Sequence, residues 1–316
     1  MAAIRRNILR STQARDKFIQ GVTLLKQDFA GPTSADFGLP GPTTPLNTYD
    51  LFVVWHHVTM NTLTPPNQAD RNAAHRGPIF LPWHRYLLIV FEVQLQRVLN
   101  DPAFGAPYWD WAADGQRSAA RQATSRLWGA KAMGGQGDPV ATGPLAFNAA
   151  DPNTWRVRIA SDANNQLRQV NRGLRRKFGS FAPSLPRKAD AREALALATY
   201  DGPPWNSSSS GFRNDLEGWI GPGLHNRVHL WVGGDMLLAS SPNDPVFFLN
   251  HCNVDRIWAA WLDRHGPAYL PDNTAPTSLR GHRIDDQIVS LLSPPTTPRD
   301  MLDVTDFYTY DSLTVG

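Results

Sequence analysis

A chain of 316 residues with 41% hydrophobic and 19% charged residues can bury a substantial core, and its length accommodates one or two domains. The formal net charge is only +3 and no nucleic-acid-binding motif is present, which argues against a nucleic-acid partner. A single cysteine, Cys252, excludes an internal disulfide and any zinc or iron–sulfur site built on the cysteines of one chain, and it reads as a small buried hydrophobe. The start, Met1-Ala-Ala-Ile-Arg-Arg6, lacks the apolar run of a secretory signal, and no stretch approaches ~18 apolar residues. The expectation is therefore a soluble, cytoplasmic protein that engages no membrane, with export on a partner left open.

In chain order, a first helix is predicted over roughly Ser11 to Gln27, with Phe18, Val22 and Leu25 inward. A second runs from about Asn47 to Met60, entered from the Pro45–Asn47 turn and followed by the Pro65-Pro66 break. A third begins near Pro82 and stops before Asn100-Asp101-Pro102. From Gly105 to about Asp162 the chain is rich in Gly, Pro and Asn and reads as a long, mostly irregular connection. Its Gly129–Gly137 stretch lacks the Gly-Lys-Ser/Thr ending of a phosphate loop. Between Arg156 and Arg192 there are ten Lys or Arg against two Asp. Leu167, Val170, Leu174 and Phe178 give that run an amphipathic helical spacing, a solvated basic face or, more sharply, a docking surface for an acidic partner. Asp201 to Gly211 is irregular, a helical patch covers Phe212 to Trp219, and two helices follow at about Leu224 to Trp231 and Pro245 to Arg264. The tail from Gly266 is Pro-rich with short strand-like pieces. No repeat and no shift in composition divides the chain, so residues 1–316 are read as one domain.

Nine histidines carry the functional reading. His225 and His229 stand at i and i+4, so both imidazoles leave one helix face about a turn apart. His251 lies on the stripe Phe247, His251, Val254, Trp258 and Trp261, which faces the core. In the first half, His84 shares a stripe with Leu88, Phe91 and Leu95, and His56 shares one with Tyr49, Phe52, Val53 and Met60. His57 is turned about 100° from that face. His75 lies nine residues before His84 in a loop-like segment. Each half can thus supply three inward histidines, as metal sites in helix-bundle cores require. Three neutral imidazoles without thiolate or carboxylate suit zinc, copper, iron or nickel. Two such sets favour a copper pair, because carboxylates usually bridge di-iron and di-manganese centres.

At these residues the chain resembles the bacterial tyrosinases. Tyr49-Asp-Leu-Phe-Val-Val-Trp-His56, His75-Arg-Gly-Pro-Ile-Phe-Leu-Pro-Trp-His-Arg85 and Tyr108-Trp-Asp-Trp111 look like the family's first half. Leu216-Glu-Gly-Trp219, His225-Asn-Arg-Val-His-Leu-Trp-Val-Gly-Gly234 and Ser241-Pro-Asn-Asp-Pro-Val-Phe-Phe-Leu-Asn-His251 look like its second. The resemblance spans roughly residues 5 to 310. It implies a mainly α fold, a central four-helix bundle holding a dinuclear type-3 copper site, with long irregular loops and few short strands. It implies His56, His75 and His84 as ligands of copper A, and His225, His229 and His251 as ligands of copper B. Dioxygen would be the co-substrate for ortho-hydroxylation of monophenols and oxidation of o-diphenols to o-quinones.

Glu217 and Asn226 match the family pair that holds a water beside copper B, through which Glu217 could accept the phenol proton. Phe247 would pack on ligand rings or on substrate, and Ala239 matches a position lining the substrate entrance. Asn250 stands where tyrosinases commonly carry His, which leaves open a catechol or o-aminophenol oxidase with weak hydroxylation. Ala73 stands where some relatives carry a Cys crosslinked to a ligand. Tyr308-Thr-Tyr310 resembles the aromatic pair that closes the catalytic core, and the six residues after it suggest that no shielding domain follows. A small phenolic or aminophenolic substrate is implied, as is a copper-delivery helper protein of the kind some bacterial relatives use. Reversible oxygen carriage of the haemocyanin type uses the same six histidines. A mononuclear zinc hydrolase needs only one triad. His57, His265 and His282 read as structural or surface residues.

Overall fold

The computed structural model describes residues 2–29 and 31–315. In chain order these contain β1 (Ala3–Arg5), α1 (Thr12–Gln27), α2 (Thr48–Met60), α3 (Phe80–Leu99), α4 (Trp111–Asp114) and α5 (Ala119–Gln122). The second half holds β2 (Val157–Ser161), β3 (Leu167–Arg172), α6 (Lys188–Ala196), α7 (Phe212–Glu217), α8 (Leu224–Val232), α9 (Val246–His265) and β4 (Tyr308–Tyr310). The fold is mainly α with few short strands.

Local chemistry sets the helix limits. The Ser11 and Asn47 side chains accept the backbone N–H of Ala14 and Asp50, capping α1 and α2. Asn100, at φ +48°, ends α3 in the left-handed region just before Pro102. Helices α2, α3, α8 and α9 surround the centre of the molecule. Between α2, α3 and α9 an aromatic seam forms, in which Phe91 and Phe248 stack at 3.6 Å and Phe52 meets Phe91 edge-on at 5.1 Å. Rings buried this completely stabilise by roughly 1.5–3 kcal/mol each.

Two short sheets tie the periphery. β1 and β4 pair in parallel, Ala3 with Tyr308 and Arg5 with Tyr310. Arg5 is fully buried there and meets Glu92 of α3 at 2.9 Å and Asp255 of α9 at 3.2 Å. The hydroxyls of Tyr308 and Tyr310 both donate to Asp255 at 2.5 and 2.6 Å. The aromatic pair therefore closes the core through one carboxylate. Removing one partner of such a buried set costs about 3–5 kcal/mol.

The other sheet corrects the reading of the basic run. Residues 157–172 form an antiparallel hairpin, β2 against β3, rather than an amphipathic helix. The Asp162 carboxylate accepts the N–H groups of Asn164 and Gln166, and Asn165 takes φ +56°, so turn chemistry overrides the helical spacing of Leu167 and Val170. Leu174 is buried, and Phe178 stacks on Trp231 at 4.9 Å. Helix α6 and the short α4 and α5 are further elements that the sequence reading did not name.

Candidate metal centre

Five of the six histidines sit on the central helices: His56 on α2, His84 on α3, His225 and His229 on α8, and His251 on α9. His75 comes from the loop before α3, whose turn is set by the Asn72 side chain accepting the N–H groups of Ala74 and His75. Candidate ligand atoms of His56, His75 and His84 lie within 4.8 Å of one another, and so do those of His225, His229 and His251. The two triads adjoin: the rings of His84 and His251 stack at 4.2 Å and 8°. His57 points the other way, with Nδ1 at 3.0 Å from the Ser161 hydroxyl, as its 100° offset requires.

Backbone carbonyls decide which ring nitrogen is available. His56 Nδ1 donates to the Ala239 carbonyl at 2.7 Å, His84 Nδ1 to Phe80 at 2.8 Å and His229 Nδ1 to Met236 at 2.7 Å. His225 Nδ1 lies 3.1 Å from the Glu217 carbonyl and 3.0 Å from Asn226 Oδ1. A carbonyl only accepts, so Nδ1 carries the proton and Nε2 presents a lone pair. Nε2 of His56, His84 and His229 is buried with no hydrogen-bond partner. Nε2 of His225 faces Nε2 of His251 at 3.2 Å. Buried polar atoms are rarely left so, and a metal ion held by each triad would account for them.

Burial holds these rings neutral. Desolvation, opposed by the carbonyl bond, pushes His56 down to about 3 and His229 down to about 4. His75, His84, His225 and His251 are held well below the usual imidazole value by desolvation and then by one another. Neutral imidazole is the form that binds metal. The donor set fits two copper ions: six neutral nitrogens, with no thiolate or carboxylate among them.

Above the triads lies a cavity of about 290 Å³. His56, His75, His225 and His229 form its floor, and Met60, Leu230, Met236, Leu237 and Leu238 contribute apolar walls. Asn226, Ser241, Arg76 and Trp219 complete the lining. Trp219, Leu230 and Leu237 are exposed at the rim.

The remaining predicted residues fall differently around it. Asn226 lines the cavity and bonds a ligand ring. Phe247 is buried beneath, 4.2 Å from His251 and 4.9 Å from His56, so it packs on ligand rings. Ala239 is buried, and the lining passes to Leu237, Leu238 and Ser241, while the Ala239 carbonyl anchors His56. Asn250 is fully buried with neither amide atom hydrogen-bonded. Glu217 is fully buried and outside the lining. Its carboxylate accepts the Arg76 backbone N–H at 2.7 Å and pairs with Arg213 at 2.9 Å. Burial raises this carboxyl and these donors oppose the rise.

Four residues escaped the sequence reading as site residues. Phe80 packs 4.8 Å from His84 and 4.9 Å from His225, and Trp83 lies 4.8 Å from His84. Arg76 and Trp219 meet at the rim. Only their adjacency to ligand motifs signalled them. His282 is buried rather than superficial, bonded to the Thr64 hydroxyl at 2.8 Å and packed behind Gly77. His265 bonds the Leu195 carbonyl.

Residues 46–264 match the common central domain of tyrosinase. A tyrosinase of Streptomyces glaucescens is 41% identical over 271 residues, covering 84% of this chain and 89% of its own. A grixazone synthase of Streptomyces griseus is 40% identical over 298 residues, covering 83% and 90%. The fold matches that of a latent aurone synthase (polyphenol oxidase) with a TM-score of 0.60 at 18% identity. That match covers 98% of this chain and 58% of the longer one. With its two imidazole triads in place beneath an apolar cavity, the chain belongs to the tyrosinase family of type-3 copper phenol oxidases.

Proposed function

We propose that the chain uses dioxygen to hydroxylate monophenols at the ortho position and to oxidise o-diphenols to o-quinones. The observation that carries this reading is the row of unpartnered imidazole nitrogens at the floor of a cavity whose rim is exposed. Copper ions held by His56, His75 and His84 and by His225, His229 and His251 would supply dioxygen binding and the oxidising equivalents. The protein contributes position and exclusion. Met60, Met236 and Leu238 hold a phenyl ring against the floor and keep water from it. The Ala239, Phe80, Met236 and Glu217 carbonyls fix the orientation of four ligand rings.

Asn226 faces both the cavity and His225, a place from which its amide can hold a water for the departing phenol proton. Glu217 is assigned a positioning role. Its two donors keep it from moving toward the substrate, while it braces the His75 loop through Arg76 and α8 through its own carbonyl. The whole chain is read as one catalytic domain, supported by a single buried cluster running from Ala3 to Val315.

A second reading, an o-aminophenol or catechol oxidase with weak hydroxylation, rests on Asn250, an unsatisfied amide one residue from a ligand. Exposure of Trp219, Leu230 and Leu237 at the rim speaks against oxygen carriage with a blocked entrance. Copper counting on the reconstituted protein, with rates on a monophenol, a catechol and an o-aminophenol, tests the reading. Turnover of the first two supports it. Two bound coppers without catechol oxidation sink it.

A further inference from the structure

Beside its neutral imidazoles the cavity lining contains one charged group, Arg76, and no carboxylate. Arg76 follows the ligand His75 directly and is exposed. Its backbone takes φ +62°, a conformation non-glycine residues adopt only when surrounding contacts hold them there. Those contacts are visible: the Arg76 N–H is held by the buried Glu217 carboxylate at 2.7 Å, and its guanidinium lies 5.2 Å over the Trp219 ring. One buried carboxylate thus holds the Arg76 backbone while Trp219 holds its side chain. The carboxylate's own charge is taken up by Arg213. Among the described residues Arg76 has no ion-pair partner, whereas the fully buried Arg5, Arg85, Arg176 and Arg213 each have one. A guanidinium preorganised on an aromatic face and left without an anion is arranged to receive one.

We propose that Arg76, stacked on Trp219 at the cavity mouth, selects phenolic substrates that carry a carboxylate at the end remote from the hydroxyl. The idea rests on the phenol-oxidase reading above. Floor and mouth then divide the work. The hydroxyl end of the ring enters over the imidazoles, the ring lies against Met236 and Leu238, and the carboxylate meets the guanidinium at the rim. A cavity of about 290 Å³ has room for one such ring with a short side chain.

The test uses binding as well as turnover, because a carboxylate could also ligate copper. In the copper-free protein, the dissociation constants of 3-(4-hydroxyphenyl)propanoate and of its neutral amide are compared by calorimetry. The carboxylate should bind about fivefold tighter at low salt, as a half-exposed charge-assisted pair allows. Arg76→Gln should bring that ratio to about one, and Arg76→Lys should keep part of it. Rising ionic strength should shrink the wild-type ratio, which provides an independent reading if the Gln variant folds poorly. An amide that binds as well as the acid, or a preference that survives both Arg76→Gln and high salt, overturns the proposal. Copper-loaded protein that oxidises catechol yet shows no carboxylate preference in KM overturns this inference alone. A failure to oxidise catechol overturns the reading beneath it.

Discussion

Acidifying the copper-free protein from pH 7 to pH 5.5 protonates an unfolded chain's imidazoles but leaves the buried ones neutral. His56 and His282 are held down to about 3 and His229 to about 4, in each case chiefly by desolvation. Their folded values lie below the ordinary 6.5, so the unfolded state binds protons that the folded state refuses. Stability is complete above pH 6.5 and falls as the pH drops toward the folded values. Each such group costs about 1.2 kcal/mol over this interval, and the three together about 4 kcal/mol. His75, His84, His225 and His251, shifted in the same direction, add to the loss. Asp201 and Asp215 work in the opposite sense. Burial lifts both to about 6, so the folded protein gains a proton as the pH falls, returning at most about 1.5 kcal/mol.

The net loss should reach on the order of 3 kcal/mol or more, a large part of the 5–15 kcal/mol typical of a folded domain. Urea unfolding followed by tryptophan fluorescence at the two pH values measures it directly. Copper-loaded protein should show a smaller loss, since bound metal holds the folded imidazoles and adds its own linkage. If the copper-free stability is equal at pH 7 and 5.5 within a few tenths of a kcal/mol, the imidazoles are not buried as neutral groups and the description of the centre is wrong.

Replacing a single ligand, His229→Ala, should lower bound copper from two per chain toward one, read by metal analysis, with loss of catechol oxidation. Glu217→Gln should depress hydroxylation and diphenol oxidation together, with weaker copper retention by 10–100-fold or so. A selective loss of hydroxylation alone would return Glu217 to the role of base. Asn250→Leu removes two buried atoms that have no hydrogen-bond partner, so its melting temperature should stay level or rise, with a gain of up to about 1–2 kcal/mol. Phe247→Ala should cost about 3–5 kcal/mol in unfolding free energy, since the ring packs against both His251 and His56.

The metal ligands were legible because helical periodicity is strong where a stripe must be buried. His225 and His229 at i and i+4, and the His56 and His251 stripes, place the rings without any tertiary knowledge. Met60 shared the His56 face for the same reason, and it does line the cavity. Arg76, Trp219 and Leu238 also line it, all outside helices and strands, and their meeting depends on loop closure over more than a hundred residues. No local pattern encodes that. The bond between Glu217 and Arg213 did leave a trace, because the two stand at i and i+4 within the predicted helical patch. The hairpin was misread because apolar residues at three- and four-residue spacing also suit strands whose faces are only half buried, and the Asp162–Asn165 turn carried the deciding information.

The anchoring of the rings bears on the proton that a phenol must lose. Every ring whose Nδ1 is bonded donates it to a backbone carbonyl or, for His225, also to an amide, and none donates to a carboxylate. Carboxylate anchors would transfer negative charge through the ring to the metal, and carbonyl anchors transfer less. The lining carries no acid either, and the buried carboxylates of Glu217 and Asp244 are already paired with Arg213 and Arg176. Positive charge placed between the triads is therefore compensated by nothing in the protein, and Arg76 adds to it at the rim. A phenol whose ionisation lies near pH ~10 in water meets in this cavity a field that favours its anion. On the function proposed above, such a site would draw the proton off electrostatically, with a path past Asn226 to carry it away. A tethered Glu217 is then consistent with turnover in the bracing role proposed for it.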